Sequence, residues 1–405
     1  MIQVYEATQI LADGTSPLGV EDVGLAEAHG RVLAQSVHAD REFPPADRSA
    51  MDGFAVRATD LPGGKRVLKV VAELPTGSPA EGIRVGPGEA VRIFTGAVLP
   101  AGADAVVIVE RTRENSAEGS VEIDAAPSAG DHVRRAGSEM ARGAQVLDAG
   151  TPIHAPEIAA LAAVGLTRVR VHIRPSIKVL ATGNELTPPG QVPQAHQSRN
   201  SNSGTLLAQL AEMGLRGEDL GVARDDLPEL GGLLRRGLDG DLLLITGGVS
   251  VGKYDLVGRA LEQAGMELLF HKVAVKPGKP ILVGRCGRCL VVGLPGNPVS
   301  AYTGFAIFVA PALRRMLGYR RWSNLHVRAD VAWSPEQEPG RTTYHLARVE
   351  YAGGRFVAQH AGSKGSGDLL SMTRANGFVV TPPAGEALKQ GESLPALLWR
   401  DFQFR

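Results

Sequence analysis

Cysteine is scarce: only Cys286 and Cys289 occur in 405 residues, so no disulfide framework supports the fold and an intracellular, cytosolic setting is expected. Net charge is also missing. The 43 basic and 43 acidic residues cancel, which gives no support to nucleic-acid or membrane-surface binding. Any anionic ligand must then be met by local charge. No apolar run approaches the ~18 residues that a membrane span requires, and the first residues carry Glu6 and Asp13 in place of a basic leader. The two cysteines form a C-x-x-C, but a structural zinc site wants four ligands. The flanking runs 280–284 and 290–293 predict two strands joined by Cys286-Gly287-Arg288-Cys289, a hairpin turn and not a redox pair.

What is abundant is glycine, 50 residues, and proline, 26, spread along the chain, which implies many turns and short elements. Residues 1–40 predict helices: Val4, Ala7, Ile10 and Leu11 share a face, and 27–34 holds good helix formers around Gly30. From Phe43 short β segments follow at 67–72, 89–94 and 105–109. The runs 106–111 and 121–124 flank a polar stretch and predict a long hairpin. A helix with proline in its first turn is expected over 156–164. Beyond residue 173, strands at 177–181, 217–222, 242–245 and 290–293 alternate with helices at 203–213, 227–238, 256–264 and 298–316. Such alternation means a mostly parallel sheet with helices on both faces. After Trp322, runs at 344–351 and 377–381 predict a small terminal β domain.

In an open α/β sheet, ligands bind beyond the carboxyl ends of the strands. Four glycine-rich or acidic segments fall there: Thr182-Gly183-Asn184-Glu185, Asp225-Asp226, Thr246-Gly247-Gly248-Val249-Ser250-Val251-Gly252 and Gly293-Leu294-Pro295-Gly296-Asn297-Pro298. Several such ends in one sheet point to a phosphate-bearing ligand, because glycines let backbone N–H groups approach an oxyanion. Gly247 through Lys253 nearly matches a P-loop, but Tyr254 stands where Ser or Thr must hold Mg²⁺. Gly248-Val249-Ser250-Val251-Gly252 matches the nucleophile elbow of α/β-hydrolases, with His326, His345 and His360 downstream as triad candidates. A serine hydrolase built on Ser250 is therefore the alternative enzyme.

Lys276-Pro277-Gly278-Lys279-Pro280 places two lysines within roughly 10 Å of each other. At an effective dielectric near 20 they would repel by about 2 kcal/mol, and an anion between them would reverse the sign. Glu185, Asp225 and Asp255 could converge as oxygen ligands for Mg²⁺. Asp225 and Asp226 compete as caps of the helix that follows.

Read together, these segments resemble the molybdopterin molybdenumtransferase family, to which the enzymatic domain of gephyrin is related. The resemblance begins at Asp47-Arg48-Ser49-Ala50-Met51-Asp52-Gly53-Phe54-Ala55-Val56 and runs through Arg92-Ile93-Phe94-Thr95-Gly96-Ala97 and Gly102-Ala103-Asp104-Ala105-Val106-Val107. It includes Thr182-Gly183-Asn184-Glu185-Leu186, Thr246 through Gly252 with Asp255, Lys276 through Pro280 and Leu294-Pro295-Gly296-Asn297-Pro298-Val299-Ser300, and closes at Gly362-Ser363-Lys364-Gly365-Ser366-Gly367, in order along nearly the whole chain.

The resemblance implies a multidomain α/β plus β fold. Its expected parts are a small helical subdomain (1–42 with 141–172), an elongated β subdomain (43–140), a central α/β sheet domain (173–321) and a terminal β-barrel (322–405). It implies a homodimer, Mg²⁺ as cofactor, and molybdate and adenylated molybdopterin as substrates, converted to molybdenum cofactor and AMP. The molybdopterin adenylyltransferase is implied as a partner. By motif position, Asp52, Glu139, Glu185 and Asp255 would be catalytic. Thr95, Gly247, Gly248, Ser250, Lys276, Lys279, Pro295 and Ser366 would bind substrate, and Glu185 and Asp225 would bind metal. Asp52 and Thr95 would reach the cleft from the second subunit. Three positions depart from the family pattern: Glu139 replaces an aspartate after Gly137-Ser138, Asn184 replaces an aspartate before Glu185, and Asn200 replaces an aspartate before Ser201-Asn202. A gephyrin-like scaffold without catalysis is the remaining alternative, and it has no use for converging charges.

Overall fold

A computed structural model describes residues 1–249, 256–383 and 385–399. The first helix, Val4–Asp13, is capped by Glu6, whose carboxylate accepts the Gln3 N–H at 2.7 Å. It buries Ala7 and Leu11 in the core of the α/β domain, against the helix Ala310–Met316.

The helix expected over 27–34 does not form. A short 3-10 turn, Leu25–Glu27, is followed by Gly30 at φ +72°, in the left-handed region where a helix cannot continue. The backbone then turns outward: Gly30 N–H donates to Ile153 O at 2.8 Å and Leu33 N–H to Thr151 O at 3.0 Å. Tertiary hydrogen bonds thus replace helical ones, and Val23, Leu33, Val37, Ile153, Leu161 and Val171 share one small core. The helix expected near 156 is present as Ala155–Ala163, with proline in its first turn.

The β region forms a six-stranded sheet in the order Ala105–Ile108, Gly53–Val56, Glu89–Ile93, Lys65–Leu74, Ser120–Asp124, Thr112–Asn115. The hairpin is shorter than its sequence suggests. A 3-10 turn at Val109–Arg111 breaks the apolar run, so Ala105–Ile108 pairs with Gly53–Val56 at one edge while Thr112–Asn115 pairs with Ser120–Asp124 at the other. Phe54 and Val56 face one apolar cluster and Ala55 the other, as the two-residue period of a strand requires.

The α/β domain carries four parallel strands, Gly217–Ala223, Ile177–Thr182, Leu242–Thr246 and Cys289–Leu294, followed by the antiparallel strands Leu282–Cys286 and Glu267–His271. The three inner parallel strands are nearly continuous apolar runs because helices cover both faces, while the edge strand Gly217–Ala223 exposes Glu218 and Asp219. Cys286 and Cys289 are register partners at the turn of the Leu282–Cys286 hairpin and remain free thiols. Burial pushes the Cys289 thiol up to about 12, which keeps it protonated and unreactive. The helix spanning 298–316 is interrupted by a π-type turn at Phe305–Val309. Pro311 has no N–H to donate to Ile307, and the helical ladder widens just before it.

The terminal domain closes on itself. Strands Thr342–Ala352, Arg355–His360, His326–Val331, Ser393–Leu398 and Gly377–Thr381 pair in that order, and the last returns to the first, giving a five-stranded barrel. Alanines 329, 347, 358 and 396 fill its narrow interior together with larger apolar residues. The short strand Val275–Lys276 adds in parallel to Thr342–Ala352, which fastens the α/β domain to the barrel. No helix among the described residues is long and apolar enough to cross a membrane.

Candidate active site

The carboxyl ends of the parallel strands carry the glycine turns, and packing explains why glycine is required there. Gly247 and Gly248 have φ of +87° and +64°. A Cβ on Gly248 would lie 2.6 Å from both the Thr182 hydroxyl and a Val257 methyl. The turn therefore presses against the neighbouring strand, with Gly247 buried and Gly248 exposed. Asn202, at the start of helix Asn202–Glu212, staples two of these loops. Its side-chain amide donates to the Thr246 hydroxyl and to the Gly296 carbonyl, both at 2.8 Å.

Glu185, Gly248, Pro295, Asn200, Asn202 and Arg199 line one cavity of about 590 Å³ at this edge. A second cavity of about 530 Å³, facing the barrel, is lined by Lys276, Lys279, Pro295, Ser366, Arg341 and His345 among others. The two share Pro280, Pro295 and Asn297, so they are adjoining halves of one cleft. The loop bearing Ser366 is held at its place by two bonds: Asn297 donates to the Ser366 hydroxyl at 2.9 Å, and Val299 N–H to the Ser366 carbonyl at 3.1 Å.

The lysines differ from the expected mutually repelling pair. Lys276 donates to Glu338 of the barrel at 2.9 Å, and Arg341 lies 3.8 Å from the same carboxylate. The ammonium of Lys276 and the neighbouring Arg341 hold the Glu338 carboxyl below its ordinary range. Lys279 is exposed and its ammonium has no partner among the described residues. Only one of the two lysines therefore offers an uncompensated charge in this conformation.

Asp226, not Asp225, caps helix Leu227–Leu238, accepting the Glu229 N–H at 3.0 Å. Asp225 is fixed through its backbone, whose N–H donates to the Asn184 side chain at 3.0 Å. The Asn184 amide thus ties the loop bearing Glu185 to the adjacent strand end bearing Asp225. Neither carboxylate has a cationic partner among the described residues. Two free hard-oxygen groups on neighbouring strand ends fit a Mg²⁺-type ion. No cluster of three such ligands occurs among the described residues. Ser250 and Asp255 lie outside the described residues.

Asp52 and Thr95 meet each other but line neither half of the cleft. One Asp52 oxygen accepts both the N–H and the hydroxyl of Thr95 at 2.7 Å, and these bonds hold the carboxyl below its usual range. Glu139 is engaged by Arg134, while Asp47 takes Arg135 and the Ala136 N–H. Asn200, at a position of family departure, precedes the N-cap Ser201 of helix Asn202–Glu212 and accepts the Ser203 N–H of its first turn at 3.2 Å. Of the histidines proposed for a hydrolase triad, His345 and His360 line the barrel side of the cleft and His326 does not. His360 accepts the Gly362 N–H at 3.1 Å, and burial pushes His345 down to about 4 and His326 below its ordinary value.

Sequence reasoning missed Asn202 and Glu338. Asn202 stood in the Arg199-Asn200-Ser201-Asn202 motif, and its amide chemistry was the signal. The Glu338 contact joins residues 62 positions apart and leaves no local trace.

Residues 2–165 match the MoeA N-terminal region (domain I and II), residues 178–315 a probable molybdopterin binding domain, and residues 328–399 the MoeA C-terminal region (domain IV). The chain is 34% identical to a molybdopterin molybdenumtransferase of Nostoc sp., over 93% of this chain and 88% of that one. It is 32% identical to the Bacillus subtilis molybdopterin molybdenumtransferase, over 99% and 94%. A crystal structure of a molybdopterin biosynthesis MoeA protein from Pyrococcus horikoshii superposes with a TM-score of 0.84 at 28% identity, covering 98% of this chain and all of that one. The hydrolase and scaffold alternatives are not favoured. With the glycine turns, the cleft and the terminal barrel all accounted for, the chain belongs to the molybdopterin molybdenumtransferase family.

Proposed function

We propose that this protein inserts molybdenum from molybdate into adenylated molybdopterin, releasing AMP and forming molybdenum cofactor. The observation that carries the reading is one cleft at the sheet's carboxyl edge: glycine-turn backbone and Glu185 on one side, Lys276 and Lys279 on the other. A phosphate-bearing pterin is anionic along its length and molybdate is a tetrahedral dianion. Exposed amides and a free ammonium are what such ligands require.

Lys279 would take a substrate oxyanion directly, and Lys276 would do so once Glu338 is displaced. Asn202 would keep the Thr246 and Gly296 loops at a constant spacing, so that substrate atoms meet fixed backbone donors. Glu185 and Asp225 would hold Mg²⁺, which supplies charge compensation at the phosphoanhydride. Asp52, kept ionised and oriented by Thr95, would position the leaving AMP or a water, and Glu139, paired with Arg134, would act from the same subdomain. Because Asp52 and Thr95 do not line the cleft of their own chain, we infer a homodimer in which each cleft is completed by the second subunit. A cytoplasmic setting and hand-over from the adenylyltransferase belong to the same proposal, as do Ser250 and Asp255 as substrate-loop and catalytic residues.

The test is cofactor formation from adenylated molybdopterin with added molybdate, followed by AMP release, alongside sedimentation of the same sample. Molybdate-dependent AMP release from a dimer is expected. No release, or full activity from a 42.6 kDa monomer, would overturn the reading.

A further inference from the structure

The sheet-edge half of the cleft holds a cation that the reaction proposed above leaves without a role. Among the described residues lining this half, Arg199 and Glu185 alone are charged. One short parallel ladder carries both segments: Leu186 lies opposite Ser198, and Thr187 opposite Arg199. Ser198 N–H donates to Glu185 O, and Asn200 N–H to Thr187 O, both at 2.8 Å. The backbone on each side of Arg199 is therefore bonded to the segment that begins at Glu185, and the two charged residues stand on one platform.

The Arg199 side chain is anchored at one end only. Its Nε donates to the Gln191 carbonyl at 2.9 Å. Nη1 and Nη2 make no hydrogen bond, and no carboxylate pairs with the guanidinium, among the described residues. Arg199 is exposed, so a ligand in the cleft can reach that pair of nitrogens. Two parallel N–H groups match two oxygens of one phosphate, and an arginine already held through Nε loses less freedom on engaging them. Helix Asn202–Glu212 starts three residues further on. Ser201 and Asn202 line the same half, and no acidic residue in the first turn offsets the positive end of this helix.

We propose that Arg199 binds the adenylyl phosphate of the substrate, and of the AMP that remains after the reaction. The inference rests on the function proposed above and assigns that function a further binding residue. Glu185, on the same platform, repels the phosphate unless a divalent cation stands between them, so Arg199 is the side chain of this half that attracts it directly.

The test is calorimetric titration of the full chain with AMP and, separately, with adenosine, both with Mg²⁺ present. AMP is expected to bind roughly tenfold or more tightly than adenosine. Arg199→Gln should weaken AMP roughly tenfold and leave adenosine within about twofold. Arg199→Lys should restore part of the loss, since an ammonium keeps the charge and not the paired donors. In the cofactor assay, Arg199→Gln should raise KM for adenylated molybdopterin roughly tenfold with kcat within a few-fold. Equal losses for AMP and adenosine would make Arg199 only a support for the loop at Gln191 and would overturn the proposal. So would unchanged AMP affinity in Arg199→Gln, or equal affinity of the unaltered chain for AMP and adenosine, a comparison that needs no variant to fold. If cofactor formation proceeds while Arg199→Gln matches the parent in AMP affinity and KM, this inference alone fails. If the unaltered chain releases no AMP in response to molybdate, the proposed function fails and takes this inference with it.

Discussion

Asp52 and Asp225 are both exposed carboxylates at the ends of strands or loops, and the chain treats them in opposite ways. Asp52 is satisfied: one oxygen takes two bonds from Thr95, which hold it ionised and in one orientation. Asp225 is anchored only through its backbone N–H, by Asn184, and its carboxylate is left without a partner among the described residues. The difference separates two jobs. A carboxylate held by neutral donors is suited to orienting a neighbour. One left bare at the strand end next to that of Glu185 is suited to taking a cation.

The largest expected effect comes from breaking the bare side. Asp225→Asn should lower molybdate-dependent AMP release roughly a hundredfold or more, since a charge-compensating ligand is lost. Thermal stability should stay the same or rise slightly. Asp226→Ala is the matched control: it removes the helix cap and should cost about 1 kcal/mol of stability with turnover within a few-fold. If the two variants exchange phenotypes, the assignment of cap and ligand is reversed.

Next in size is Asp52→Asn. The asparagine oxygen can still accept both Thr95 bonds, so urea unfolding at neutral pH should be unchanged while turnover drops about tenfold or more. The sign with pH follows from the depressed carboxyl: its stabilising bonds are fully present above the unfolded-state value and are lost as pH falls through the lower folded value. Asp52→Asn should remove that acid-side loss. Turnover within a few-fold of the parent would make Asp52 a turn residue only.

The smallest effect is expected at Glu338→Gln. Releasing Lys276 from its ion pair should tighten AMP binding in calorimetric titration by roughly twofold to fivefold at low salt. The gain should shrink as ionic strength rises. Unchanged or weaker binding would mean that Glu338 helps to position Lys276 and does not compete for it.

Local chemistry carries far when spacing and turn residues decide the outcome. The alternation of strands and helices beyond residue 173 is set by short apolar runs ended by glycine or Asp, and every one of those elements is present. The Cys286–Cys289 turn also follows from its flanks. Residues 27–34 show where local propensity fails: good helix formers lost to cross-chain bonds from Gly30 and Leu33, made available only by the fold. The hairpin edge at 105–124 moved for a similar reason, because strand partners are chosen by the sheet and not by proximity in sequence.

The sequence by itself determined that glycine turns, carboxylates and lysines gather at the carboxyl edge of a parallel sheet, because strand direction and turn chemistry are local properties. Only the tertiary structure decided which of those groups are free. Lys276 is neutralised across 62 residues by Glu338, Asp226 takes the cap and leaves Asp225 bare, and Asn202 ties two loops 44 and 94 residues away. Charge pairing and hydrogen bonding act through space over a few ångströms, and the packing of distant segments sets which groups come that close.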